Sequence, residues 1–252
     1  MSGSVVTVGT YDGVHLGHRA LIRRAIELGG ELCLPVKVVT FDRNPLEVVR
    51  PDRTPKMLTD LELKVELLWS LEVSDVVVLT FDGTRAAQSA EDFVTDELVT
   101  GLGAKAILVG SNFRFGHRQR GDIALLQTMA PSLGFVAHGI GLVSDGATSE
   151  IVSSSAIRDH IAAGDLHRAA RLLGRPHEVR GCLDKERDER VVLVDGRLAL
   201  PPPGAYDVEA RFDTTAVRSK LQVIDDDGEP MRRLVLDAPS EREASRASCR
   251  FI

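Results

Sequence analysis

The chain has 252 residues, 43% of them hydrophobic and 27% charged, which is enough for one large or two small domains with real cores. Its formal net charge of −6 excludes a generic nucleic-acid or membrane-surface binder, while a discrete anionic ligand held by a few donors stays possible. The three cysteines, Cys33, Cys182 and Cys249, are far apart and form neither CxxC nor a zinc spacing, so reduced thiols in a cytoplasmic protein are expected. The N-terminus lacks a basic-then-apolar leader and no apolar run approaches the length of a membrane span, so neither secretion nor a membrane partner is expected.

"SVVTVGT", from Ser4, reads as a buried strand, and "HRALIRRAIELGG" after it as an amphipathic helix closed by glycines. "PVKVVTF" is a second strand. The loop "RNPLEVVRPDRTPKM" leads to the helix "TDLELKVELLWSL", with Thr59 or Asp60 as its N-cap. "VSDVVVLTF" is a third strand, "SAEDFVTDELVTGL" a helix beginning at Ser89, and "AKAILVG" a fourth strand. The loop "SNFRFGHRQRG", the helix "DIALLQTMAPSL", a short strand in "GFVAHGI" and two short helices in "SAIRDHIAAGDLHRAARLLG" complete this region.

Strands alternating with helices imply βαβ units and a parallel sheet with helices on both faces, an α/β Rossmann-like class. Neither a Walker A motif nor a GxGxxG follows the first strand. "VGTYD", "VVTFD" and "VLTFD" each end a strand alike and mark the carboxyl ends, where open α/β sheets bind ligands. After "LLGRP" the texture changes to short alternating runs separated by turn clusters such as "PPPG" and "DDDGEP". That pattern predicts a small antiparallel β unit from residue 177, followed by a loosely held polar tail, "SEREASRASCRFI". The expected domains are therefore 1–176 and 177–252.

In "YDGVHLGH", His15 and His18 fall in or just before the first turn of the first helix, three residues apart and so on one face. Unpaired first-turn amides and the positive end of the helix dipole favour an anion there, and Gly13 and Gly17 let a phosphate approach closely. Surface or capping histidines are the plain alternative; a metal pair lacks an evident third ligand, and no residue is assigned to a metal. "VGSNFRFGHRQRGD" adds Asn112, Arg114, Arg118 and Arg120 after the fourth strand. "IVSSSAIRD" adds Ser153, Ser154 and Ser155 at another helix start, with Arg158 one turn on. Each segment alone reads equally as a solvated loop or an N-cap; together their hydroxyls, imidazoles and guanidinium suit a triphosphate.

"VTVGTYDGVHLGHRALI", "GSNFRFGHRQRGD" and "VSSSAIRDHIAAGDLHRAARLLGRP", in this order, resemble the bacterial FAD synthetase family, the bifunctional riboflavin kinase/FMN adenylyltransferases. The similarity covers residues 4 to 176, the nucleotidyltransferase module. HxGH marks the wider superfamily, and "NFRFG" with "LLGRP" narrows it to the flavin branch. The resemblance implies FMN and ATP as substrates, FAD and pyrophosphate as products, and Mg²⁺ carried by the ATP phosphates. It implies His15, His18 and Arg158 as catalytic, with Ser154, Ser155 and Arg158 holding the β- and γ-phosphates. Nucleotide contacts would come from Gly9, Thr10, Tyr11, Asp12, Gly17, Asn112 and Ser153, and flavin contacts from Phe41, Arg43, Asn44 and Pro45.

Departures from the family pattern accompany the match. The family's "PHP" is "FDRNP" here, so Asn44 replaces a histidine and Arg43 stands beside it to compensate; Ala156 stands where an arginine is frequent, and Tyr11 where phenylalanine is usual. The kinase module's "GxPTAN" is missing, which implies a shortened kinase-derived β domain without riboflavin kinase activity. A nucleotidyltransferase with another phosphorylated acceptor and a non-catalytic flavin- or nucleotide-binding paralogue remain the alternatives. Nothing in the sequence sets an oligomeric state.

Overall fold

The structure, a computed structural model, describes residues 3–184, 191–212, 215–224, 230–237 and 245–252. Its contacts divide the chain into two units, Met1–Pro55 with Leu61–Ile151, and Lys56–Asp60 with Val152–Ile252.

The first unit is the expected α/β sheet. β1 (Ser4–Val8) leads to α1 (Leu16–Leu32), β2 (Val36–Phe41) and the short α2 (Leu46–Val49). Then come α3 (Leu61–Trp69), β3 (Asp75–Leu79), α4 (Gly83–Ala87) and α5 (Ala90–Asp92), which runs on in π geometry over Phe93–Gly101. β4 (Ala104–Gly110), α6 (Ile123–Leu133) and β5 (Val136–Ile140) complete it. The five strands are parallel in the order β3-β2-β1-β4-β5.

Side-chain alternation covers both faces of this sheet. Val5, Val38, Ala106 and Leu108 pack with Ile22 and Ala25 of α1 and Leu68 of α3. Val6, Val8, Ile107 and Val109 pack with Phe93, Val94 and Leu98 and with Leu126 of α6. Strand order reverses direction at β1, whose neighbours are β2 and β4, so the crevice for a ligand opens where β1 and β4 end. Ser89 and Asp122 cap α5 and α6 as side-chain acceptors, as their sequence positions predict.

α1 does not close at its glycines. It continues to Leu32 and ends at Cys33, which takes the left-handed conformation with φ 54°. Gly29 is needed for a different reason: a Cβ there would lie 2.6 Å from Val36 Cγ2, so its absence lets α1 pass close to β2.

The second unit holds α7 (Ser154–Ala162) and α8 (Leu166–Leu173), then β6 (Glu178–Leu183), β7 (Val191–Asp195), β8 (Gly204–Phe212), β9 (Thr215–Val223), β10 (Met231–Leu236) and β11 (Arg246–Phe251). The six strands close an antiparallel barrel in the order β10-β7-β6-β11-β8-β9. Its interior is built from alternating residues such as Val192 and Val194, Val208, Ala210 and Phe212, and Leu234 and Leu236.

Two expectations are corrected here. The tail is not loosely held where it is described: β11 lies between β6 and β8 and buries Ala247, Cys249 and Phe251 on one face. Its polar residues alternate with these, so average polarity hid a strand. The segment expected as part of a loop before α3 also does more, because Met57 pairs with Leu198 and residues 56–60 group with the barrel unit. The helices over Ser154–Leu173 group with the barrel as well, and Leu166 packs on its core.

Candidate active site

The turn leaving β1 is tight and strained. Tyr11, Gly13 and Val14 all take positive φ, at 49°, 82° and 40°, a region that costs a β-branched or bulky residue free energy. The Tyr11 side chain folds back into the core, fully buried, and shares a 2.7 Å hydrogen bond with the Thr7 hydroxyl. Gly9 makes room for it, since a Cβ there would meet the ring at 3.1 Å. The reversal brings His15 to the N-cap of α1.

His15 and His18 come together as one pair. Their rings stack with centroids 3.6 Å apart and planes 16° apart. Tyr11 meets His18 edge-on, 5.1 Å between centroids. His15 Nδ1 accepts the His18 backbone N–H at 3.3 Å, so a neutral His15 carries its proton on Nε2. The plain capping role is therefore met by His15 Nδ1. Burial first, then the proximity of His15 and of Lys64, push the His18 imidazole well below the usual histidine range. It is thus a neutral hydrogen-bond donor near neutral pH. Its Nδ1 is buried without a hydrogen-bond partner, and the amides of Leu16 and Gly17 begin a 17-residue helix. Unpaired first-turn N–H groups, the helix dipole and two imidazoles together make a site for anionic oxygen.

Sequence reasoning missed Lys64. This lysine of α3 is 7% exposed, and its Nζ donates to the Phe41 carbonyl at 2.7 Å and the Thr10 carbonyl at 3.4 Å. The Thr40 hydroxyl donates to the same Thr10 carbonyl at 3.1 Å. Burial lowers the Lys64 amine below the usual lysine range, partly offset by Asp12, Asp42 and Glu47. The available signal was a lysine four residues before the buried Leu68, on the apolar face of its helix.

The segment after β2 contributes Phe41 through its carbonyl, while its ring is buried edge-on to Phe81. Asp42 accepts the Phe81 N–H at 2.9 Å and pairs with the half-exposed Arg43 at 3.0 Å. Asn44 accepts the Leu46 N–H at 3.0 Å and donates its own N–H to Glu47 at 3.1 Å, a reciprocal cap that starts α2 just after Pro45.

Asn112 is exposed in the turn after β4, where the Phe113 N–H donates to the Gly110 carbonyl. Phe115 anchors that loop in the core, against Phe93. Gly116, at φ 70°, lies so near Ala90 that a Cβ would be 2.5 Å from it. Arg114, Arg118 and Arg120 are exposed. Thus Gly9, Thr10, Tyr11, Asp12, His15, Gly17 and His18 belong to one turn and helix start, with Phe41 tied to it through Lys64. Ser153, Ser154, Ser155 and Arg158 belong to the second unit. There the Ser153 hydroxyl caps α7 by accepting the Ala156 N–H at 3.2 Å, Ser154 and Arg158 are half-buried, and Ser155 is exposed.

Residues 1–156 match the family model for FAD synthetase. The chain belongs to the FAD synthetase family. It is similar to the bifunctional riboflavin kinase/FMN adenylyltransferases of Escherichia coli K12 (38% identical over 179 residues), Haemophilus influenzae (35% over 185) and Pseudomonas fluorescens (37% over 180). These matches take in 71–72% of this chain and 56–58% of the relatives, so the chain matches little more than half of their length. In overall fold it is similar to a solved structure described as a macrolide-efflux protein from Streptococcus pneumoniae. The TM-score is 0.82 at 23% identity, covering 100% of this chain and 84% of that one. Against the FAD synthetase pattern, the Tyr11 departure is accommodated by the Thr7 hydroxyl, and the Asn44 departure supplies the cap of α2. Among the described residues no helix is long and apolar enough to cross a membrane.

Proposed function

We propose that this protein is an FMN adenylyltransferase, which transfers AMP from ATP to FMN and releases pyrophosphate. The observation that carries the reading is the stacked His15–His18 pair at the start of α1, beside the point where the parallel sheet changes direction. An FMN phosphate oxygen attacks the ATP α-phosphorus in line, forming one P–O bond as the bond to pyrophosphate breaks. No covalent protein intermediate is required. The imidazole N–H groups and the helix-start amides donate to phosphate oxygens as charge shifts toward the leaving group. Gly9 to Asp12 and Asn112 face the nucleotide. Ser153, Ser154, Ser155 and Arg158 serve its phosphates, and Arg43, Asn44 and Pro45 the flavin phosphate.

Among the described residues no group of three or more His, Cys, Asp or Glu side chains forms a metal cage. Mg²⁺ enters this reading as a companion of the ATP phosphates, where it would supply charge neutralisation. Residues 1–176 carry the transfer in the cytoplasm. Residues 177–252 are read as a kinase-derived β domain without kinase activity, since "GxPTAN" is missing.

The test is incubation with ATP, Mg²⁺ and either FMN or riboflavin, followed by chromatographic separation of the flavins. FAD from FMN, and no phosphorylated product from riboflavin, is the expected result. Pyrophosphate release with a different phosphorylated acceptor but no FAD would replace FMN in the reading. That second outcome has a specific motive, because the Asn44 side-chain oxygen is already engaged in capping α2.

A further inference from the structure

We propose that Lys64 is a positioning residue that ties the nucleotide turn after β1 to the flavin segment after β2. The inference rests on the adenylyltransferase reading for its functional meaning, and on geometry alone for the tie itself. Lys64 Nζ reaches the Phe41 carbonyl, the last residue of β2, and the Thr10 carbonyl in the turn after β1. The last backbone hydrogen bond between the two segments runs from the Gly9 N–H to the Val39 carbonyl at 3.1 Å, and among the described residues the ladder does not extend to Thr10 and Phe41. Beyond that bond the buried ammonium group links them. Thr40, fully buried, adds a second donor to the same Thr10 carbonyl.

The groups around the ammonium suit this role. Asp12 lies in the nucleotide turn, and Asp42 and Glu47 lie in or after the flavin segment; all three act electrostatically on Lys64. The charge is therefore balanced from both sides of the joint. Lys64 also acts electrostatically on His18, which stacks on His15 and meets Tyr11 edge-on, so the imidazole reports whether the ammonium charge is present. In-line transfer between two bound substrates depends on their separation, and a misplacement of about 1 Å can cost on the order of 10²-fold in rate. A lysine that fixes two substrate segments relative to one another should therefore govern turnover more than the binding of either substrate alone.

The experiment uses the full chain with Lys64→Met, which keeps the stem and removes the donors, and Thr40→Val, a milder loss of one donor on Thr10. Turnover is measured from FMN and ATP, with the KM of each, alongside a titration of the His18 ring protons by NMR without substrates. Lys64→Met is expected to lower kcat by about 10²-fold with each KM changed less than about 3-fold. Its His18 titration should move to higher pH, because a neighbouring positive charge is gone. Thr40→Val is expected to lower kcat several-fold while His18 titrates as in the parent, and it keeps the proposal testable if Lys64→Met does not fold. A folded Lys64→Met with parental kcat overturns the proposal, as does a drop in activity that follows melting temperature with His18 unmoved. If Lys64→Met does not fold, parental kcat in Thr40→Val overturns it. A parental chain that makes no FAD refutes the adenylyltransferase reading instead; the His18 titration then decides the tie by itself.

Discussion

His18 combines a half-buried ring, a stacked partner and a buried Nδ1 without a hydrogen-bond partner. On the proposed reading, removing it takes away a phosphate donor but little core. His18→Ala should cut FAD formation by about 10²- to 10³-fold with the far-ultraviolet circular dichroism unchanged. Full activity in that variant would remove the phosphate assignment. His177 is the opposite kind of histidine. It is 1% exposed, lies over Phe251 and hydrogen-bonds the Ala199 carbonyl through Nε2 at 2.8 Å. Burial, the largest cause, pushes it down to about 4. Because the unfolded chain binds a proton near pH 6.5 and the folded one does not, the His177 contribution is complete above about pH 6.5 and is lost as pH falls towards 4. The loss amounts to about 3 kcal/mol, and the depressed His18 adds to it in the same direction. Urea unfolding at pH 7 and pH 4.5 should show this slope, flattened in His177→Gln.

At the level of elements, β11 separates two ways of reading the same residues. Phe251 is 3% exposed and packs against His177 and Tyr206. Phe251→Ala should therefore cost about 3–5 kcal/mol in a denaturant titration, the range for a large aromatic removed from a core. A loosely held tail would show almost no change. The strand carries a second constraint, because Glu178, 4% exposed on the paired β6, accepts hydrogen bonds from Ser248 at 2.7 Å and Arg250 at 2.8 Å. Burial raises the Glu178 carboxyl, but the bonds from Ser248, Arg250 and Arg180 outweigh it and hold the group below the usual carboxylate range. None of these partners is near Glu178 in sequence except Arg180. That is why alternation in "RASCRF" was the only sign of a strand. The helix starts were easier: Ser89, Asp122 and Ser153 each bond an amide three residues ahead, so the whole interaction is local.

For the molecule as a whole, the proposed adenylyltransferase reading sets two anionic substrates against a net charge of −6, so on that reading binding comes from a local field and not from the overall one. The phosphate is then the recognised feature. ATP and FMN should each raise the melting temperature, with about 2.7 kcal/mol of added stability at a hundredfold excess over Kd. Riboflavin, which lacks the phosphate, should leave it unchanged in the same thermal-shift series. An equal shift with riboflavin would place recognition on the ring system instead.

The sequence by itself determined whatever depends on neighbours within a few residues. It determined the alternation of strands and helices, the caps, and the pair in "HLGH", since residues three apart at a helix start must share a face. The carboxyl ends of β1, β2 and β3 were legible too, because each leads into a similar short run. Tertiary structure alone decided what depends on separate segments meeting. Lys64 looks like an ordinary helix lysine until α3 carries it under the carbonyls of Thr10 and Phe41. Residues 56–60 look like loop until Met57 pairs with Leu198, and β11 looks like tail until β6 and β8 flank it. The reason is physical: a cap or a periodic face is satisfied by the local backbone, whereas a buried ammonium group or a barrel strand finds its partners only across the fold.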